Sequence, residues 1–161
     1  DRVTGKDCWS LAKKVFGLCL LLGCLAGNVC ASSIFFGASY RNYPGGEGLT
    51  WLHTHRSRLP GSVHIDAHSA MTGVSRFVGV IGWTYSKVEH LKDPGQFVQF
   101  DYVLTESPTF FDGYFERIHT VHEFSSLDVK AAARNRRLRM SELFKTKPSV
   151  HIKKRLPPAR L

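Results

Sequence analysis

The longest pattern in this chain is apolar. From Val15 to Tyr40 there is no Asp, Glu, Lys, Arg or His, and residues 15–36 read VFGLCLLLGCLAGNVCASSIFF. About 20 consecutive apolar residues span a bilayer as a helix. The pattern therefore predicts a transmembrane helix over 15–38, with a short flank at 1–14. Arg2, Lys6, Lys13 and Lys14 precede the run, whereas Arg41 and Arg56 are the first basic residues after it. An excess of Lys and Arg marks the cytosolic side, which orients the N-terminus to the cytosol and everything after the helix to the lumen or exterior. Gly23, Gly27 and Ala31 recur at every fourth position, a stripe that lets a second helix approach closely. Asn28, Ser32 and Ser33 want a polar or protein-facing side at that depth, so the helix reads as one member of a bundle. The competing reading is a signal peptide, with an apolar stretch over Val15 to Ala26 and a Val29-Cys30-Ala31 cleavage pattern. Against it, the apolar character continues through Ile34, Phe35 and Phe36. The chain opens on Asp1 rather than Met, which reads as a piece of a longer protein.

Beyond the helix the pattern changes to short runs separated by turns. Arg41-Asn42-Tyr43-Pro44-Gly45-Gly46 predicts a turn that ends the membrane helix. A short helix is expected over 47–58, then a turn at Pro60-Gly61 and a buried strand at Ser62 to Asp66. Met71 to Phe77 reads as helix or loop, and the apolar, glycine-broken stretch from Phe77 to Tyr85 as a strand. Asp93-Pro94-Gly95 predicts a turn, and Phe97 to Glu106 another strand. Phe115, Ile118, Val121 and Phe124 fall every third residue, a spacing that leaves helix and strand open. Ala131 to Leu143 favours helix, and Lys147 to Leu156 alternates as a last strand. Strands with helical segments between them predict a small mixed α/β domain over 39–129, followed by a basic helix and terminal strand over 130–161.

The net charge of +9 is unevenly placed. Residues 38–129 carry seven basic and ten acidic side chains, whereas residues 130–161 carry eleven basic and one acidic. The globular middle is thus mildly acidic and the tail strongly basic. That tail suits an anionic membrane surface or the phosphates of a lipid-linked substrate, or is simply a solvated face. The four cysteines, Cys8, Cys19, Cys24 and Cys30, all precede the α/β domain, so no disulfide framework holds it. Asn28, Asn42 and Asn135 all fail the Asn-x-Ser/Thr pattern, so glycosylation says nothing about sidedness.

Few residues combine into chemistry. His64, Asp66 and His68 are spaced i, i+2, i+4, which on a strand puts them on one face. That is a respectable metal-ligand set, or a polar face in which Asp66 caps the next segment. The strand is expected to end near Asp66, which spoils the alignment, and no metal is assigned. His53 and His55 read as surface residues, and His119 with His122 as a surface pair if their segment is helical. There is no Gly-rich phosphate loop, GxSxG elbow or CxxC pair.

The order of several short motifs is more specific. Asn42-Tyr43-Pro44-Gly45-Gly46 is followed by Leu52-His53, His64-Ile65-Asp66 and Thr72-Gly73-Val74-Ser75-Arg76-Phe77. Then come Trp83, Tyr85-Ser86-Lys87 and Phe100-Asp101-Tyr102-Val103-Leu104-Thr105-Glu106. This series resembles the C-terminal region of the endoplasmic-reticulum dolichyl-phosphate-mannose-dependent mannosyltransferases of glycosyltransferase family 22. The likeness runs from about Ser39 to Glu106, with an echo at Val150 to Leu156. It implies the C-terminal part of a multi-spanning GT-C membrane enzyme, with a luminal α/β domain after one transmembrane helix. The implied donor is dolichyl-phosphate mannose, transferred with inversion and without a cofactor or essential metal. The implied partners are the membrane, a lipid-linked oligosaccharide acceptor and the enzyme's other membrane helices, but no nucleic acid. The family's catalytic carboxylate lies in the first luminal loop, outside this chain, so the chain alone is expected to be inert. Within it, Thr72, Ser75 and Arg76 are the candidates for positioning phosphate or glycan, with His64 and Asp66 beside them. Arg76 pairing with Asp66 or Glu106 to hold the domain together is the structural alternative. The alternative for the whole chain is a single-pass or secreted non-enzymatic α/β module whose basic tail contacts an anionic surface.

Overall fold

The structure, a computed structural model, describes residues 5–56, 61–74, 79–128, 130 and 143–157. Two compact units are distinguished, Asp1–Ala38 and Ser39–Leu161. The first is nearly all one helix. α1 runs unbroken from Gly5 to Ser39, and its segment Trp9–Ser39 is long and apolar enough to cross a membrane. It starts ahead of the span read from the sequence because helix formation asks only for good helix formers, and Leu, Ala and Lys at 11–14 are among them.

The second unit is built on a five-stranded mixed sheet, which bears out the expected α/β class. In chain order its elements are α2 (Pro44–Arg56), β1 (Ser62–Ile65), α3 (Ala67–Met71), β2 (Thr84–Ser86), a 3₁₀ helix (Pro94–Gln99), β3 (Tyr102–Thr105), β4 (Phe115–Leu127) and β5 (Phe144–Arg155). The strands lie in the order β2-β1-β3-β5-β4. β1 is parallel to both β2 and β3, while β5 is antiparallel to β3 and β4. The three parallel strands therefore end at one edge of the sheet.

Both faces of the sheet are covered. Leu49 and Leu52 of α2 pack on Val63, Ile65, Leu104, Val121, Val150 and Ile152. Phe97 of the 3₁₀ helix, with Phe111 and Phe115, packs on Val103. Side chains alternate across a strand, so Val63 and Ile65 join the α2 layer and His64 meets the phenylalanines, its ring centroid 4.7 Å from that of Phe97. All four residues of β3 are buried because that strand is covered on both sides.

Several elements differ from the sequence reading. Pro44-Gly45-Gly46 opens α2 instead of forming a turn. Proline suits the first helical turn, where its missing N–H has no intrahelical partner anyway. The next two N–H groups are satisfied from a distance: Gly45 N donates to Thr72 Oγ1 at 3.1 Å and Gly46 N to Thr72 O at 3.1 Å. A Cβ at Gly45 would collide with Ser69 O and crowd Thr72 Oγ1, so the approach needs glycine. Gly73 completes the junction at φ +109° against Tyr43, a conformation that other residues rarely adopt. Among the described residues of the strand read over 77–85, only Thr84 and Tyr85 are strand, in a β2 that runs on to Ser86 after a turn at Ile81-Gly82 with Gly82 at φ +91°. The first half of the strand read over 97–106 is 3₁₀ helix, because Asp93 and Gln96 form a capping box around Pro94. The ambiguous stretch from Tyr114 to Phe124 resolves as strand, with β4 irregular at three points. The basic helix read at Ala131 to Leu143 lies outside the described residues, apart from Leu143.

Candidate functional site

In α/β sheets, ligands bind at the carboxyl ends of parallel strands. Here those ends open onto a cleft of about 250 Å³. β1 contributes His64 and Ile65, and Asp66 follows directly; β3 contributes Thr105; Val88 and Glu89 follow β2. Phe97, Phe110 and Phe111 form the aromatic wall. Phe111 stands edge-on to both Phe97 and Phe110, at centroid distances of 4.9 Å in each case.

The wall is held by a buried lysine. Lys153 on β5 has no exposed surface, yet its Nζ donates to Pro108 O at 2.8 Å and to Asp112 Oδ1 at 3.0 Å. Both acceptors lie in the 106–114 connection that carries Phe110 and Phe111. Its ammonium also sits 5.8 Å from the Phe111 ring centroid, a cation–π distance.

Two of the five residues singled out from the sequence line the cleft. His64 is only 4 % exposed, and its Nδ1 is buried without a hydrogen-bond partner. Burial holds its pKa below the ordinary 6.5, with the charge of Asp66 partly opposing. Asp66 has a clear structural task. Its Oδ1 accepts from Ser69 N at 2.7 Å as the N-cap of α3, and its Oδ2 accepts from Glu106 N at 2.7 Å. Thr72 is not in the cleft; its hydroxyl donates to His68 O at 2.8 Å while accepting from Gly45 N. Ser75 and Arg76 lie outside the described residues. Among the described residues, no group of three or more His, Cys, Asp or Glu is placed to hold a metal ion. The i, i+2, i+4 alignment of His64, Asp66 and His68 fails because β1 ends at Ile65 and His68 lies on α3.

His68 instead joins a second polar group. Its Nε2 is 2.8 Å from Ser149 Oγ, which donates to Glu123 Oε2 at 2.8 Å; Lys147 Nζ lies 3.0 Å from Glu123 Oε1. Burial pushes the Glu123 carboxyl up, but the bonds from Ser149 and Lys147 and the charges of Lys147 and His68 outweigh it, leaving the pKa below its ordinary value. His53, His55 and His119 also have structural partners. His55 and His119 both stack on the Trp51 ring, at centroid distances of 4.4 and 4.2 Å. His53 is half-buried rather than exposed, its Nε2 2.8 Å from Tyr85 Oη.

Sequence reasoning missed Glu89, Thr105, Phe97, Phe110 and Phe111. The one local signal was the Phe110-Phe111 doublet, two consecutive large apolar residues in a connection after Pro108.

No protein-family model and no solved structure matches the chain. Curated proteins do. It is 32 % identical over 123 residues to the probable Dol-P-Man:Man(7)GlcNAc(2)-PP-Dol alpha-1,6-mannosyltransferase of Schizosaccharomyces pombe, covering 73 % of this chain and 22 % of that protein. The chain is homologous to these mannosyltransferases. The Arabidopsis thaliana protein of the same name is 37 % identical over 91 residues, 53 % of this chain and 17 % of that protein. The Drosophila melanogaster one is 30 % identical over 162 residues, 92 % of this chain and 23 % of that protein. The chain thus spans about a fifth of the length of the relatives it matches.

Proposed function

We propose that the chain is part of a Dol-P-Man-dependent alpha-1,6-mannosyltransferase acting on dolichyl-diphosphate-linked Man(7)GlcNAc(2). The observation that carries this reading is the similarity to the fission-yeast protein of that name over 73 % of the chain. The helix Trp9–Ser39, long and apolar enough to cross a membrane, suits a chain working on dolichol-linked substrates. The names of the relatives do not favour the non-enzymatic module.

In this reading the helix lies in the endoplasmic-reticulum membrane, and the basic flank before Val15 keeps the N-terminus cytosolic and Ser39–Leu161 luminal. Dolichyl-phosphate mannose is the donor and no cofactor takes part. Inverting transfer needs a base beside the acceptor hydroxyl, and we assign no catalytic residue to this chain. Its role is to bind and position.

The test is complementation of a yeast strain that lacks the alpha-1,6-mannosyltransferase and accumulates Man(7)GlcNAc(2) on the lipid. The whole protein that contains this chain is expected to restore an oligosaccharide with one more mannose. The same protein without the Ser39–Leu161 unit, still membrane-inserted, is expected not to. A correctly inserted whole protein that leaves the profile at Man(7)GlcNAc(2) overturns the reading.

A further inference from the structure

The cleft at the carboxyl ends of β1, β2 and β3 has a chemistry of its own. Its described lining contains two carboxylates, Asp66 and Glu89, and no Lys or Arg. Lys153, behind Phe111, is committed to Pro108 O and Asp112. The electrostatics thus disfavour a phosphate or diphosphate, which seeks Arg, Lys or clustered N–H donors. An isoprenoid chain fits no better. It would desolvate the carboxylates of Asp66 and Glu89 without giving either a further partner.

What fits is a neutral ring with hydroxyls on its edge and C–H bonds on its face. The volume is just under the range of pockets that take drug-sized ligands, about 300–1,000 Å³, so it admits a single ring. His64, kept neutral by burial, has one ring nitrogen that donates and one that accepts. Glu89 is exposed, with its carboxylate free to accept from hydroxyls, and Thr105 Oγ1 accepts from Ser107 N but retains its own proton to donate. Phe110, 42 % exposed, presents apolar surface at the mouth.

We propose that this cleft is a subsite for one hexopyranose ring of the oligosaccharide acceptor, away from the reacting bond. The proposal rests on the mannosyltransferase reading for the identity of the sugar, and on the cleft for its class. It assigns the two ends of the acceptor: the glycan meets this domain, and the diphosphate is held elsewhere.

The test is ligand-observed NMR with methyl α-D-mannopyranoside and the whole protein in lipid nanodiscs, with Phe110→Ala and Glu89→Gln variants beside it. Both side chains are exposed, so neither substitution is expected to unfold the domain. Saturation transfer to the sugar is expected in the unmodified protein. Phe110→Ala should weaken binding about fivefold, the size of one aromatic contact, and Glu89→Gln should weaken it too. Inorganic phosphate should not compete. No binding, binding that survives both variants, or displacement by phosphate each overturns the proposal. The two readings fail separately: sugar binding at the cleft without complementation sinks the enzyme, and complementation without sugar binding at the cleft sinks only the subsite.

Discussion

Lys153 shows how much one side chain holds in this domain. It is fully buried, while its partner Asp112 is largely exposed. Lys153→Met removes two hydrogen bonds made by a charged donor and frees the connection that carries Phe110 and Phe111. A loss of about 2 kcal/mol is expected, read as a lower thermal midpoint. Asp112→Asn should lose less than about 1 kcal/mol, because an exposed ion-pair partner contributes little. Equal losses from the two would refute this assignment. The histidines set a pH dependence. Burial holds His53, His64, His119 and His151 below the ordinary 6.5. Above that value they are neutral both folded and unfolded and add no slope. Below about pH 6.5 the unfolded chain takes up protons that the fold resists, so stability falls as pH falls. Glu123 acts in the same direction further down, since its lowered pKa contributes stability that is present above 4.5 and lost as pH drops through the folded value. Thermal melts should be flat from about pH 8 to 7 and decline toward pH 5, less steeply in His64→Gln. A midpoint that holds steady across the acidic range would count against buried neutral histidines.

Two glycines three residues apart in α2 have opposite reasons to be there. Gly45 lies where the helix start meets Ser69 and Thr72, with no room for a Cβ. Gly48 faces the sheet, where a Cβ would make ordinary contacts, 3.6 Å from Val121 Cγ2 and Val150 Cγ1. Gly45→Ala should therefore cost about 1–3 kcal/mol through overpacking. Gly48→Ala should be neutral or stabilising by up to about 1 kcal/mol, since alanine is the better helix former. Denaturant titration of both variants checks the contrast, and a Gly45→Ala midpoint at or above that of the parent would show that the junction yields. The existence of an element was legible where local chemistry acts alone, as in the apolar run of α1, although that helix starts ten residues before the span read from the sequence. Elements were misread where a remote partner decides. Pro44-Gly45-Gly46 looks like a turn until Thr72, 27 residues on, satisfies the N–H of Gly45. NYPGG and TGV are thus two halves of one packed junction.

At the scale of the whole molecule the first question is sidedness. The described chain has no acceptor for N-glycosylation, so an introduced one reports cleanly. Tyr114 and Glu116 are exposed at the start of β4, and the pair Tyr114→Asn, Glu116→Thr creates an acceptor there. A luminal domain should gain an endoglycosidase-sensitive mass in microsomes. An unmodified protein that is folded and inserted would place this unit on the cytosolic side and contradict the proposed orientation. The candidate site was only partly legible. His64 and Asp66 were singled out by spacing on a strand, and both do line the cleft. Glu89, Phe97, Thr105 and the Phe110-Phe111 pair come from four other segments, and nothing in the local sequence links those segments.

The sequence by itself determined the apolar helix, the mixed α/β class and the kinship with the mannosyltransferases, because these rest on local periodicity and on motif order. Only the tertiary structure decided the strand order, the burial of Lys153 under the 106–114 connection and the cleft itself. Parallel pairing of β1 with both β2 and β3 brings residues 64–66, 88–89 and 105 to one edge of the sheet. Which strand ends meet is set by how both faces are covered at once, and no window of sequence contains that condition.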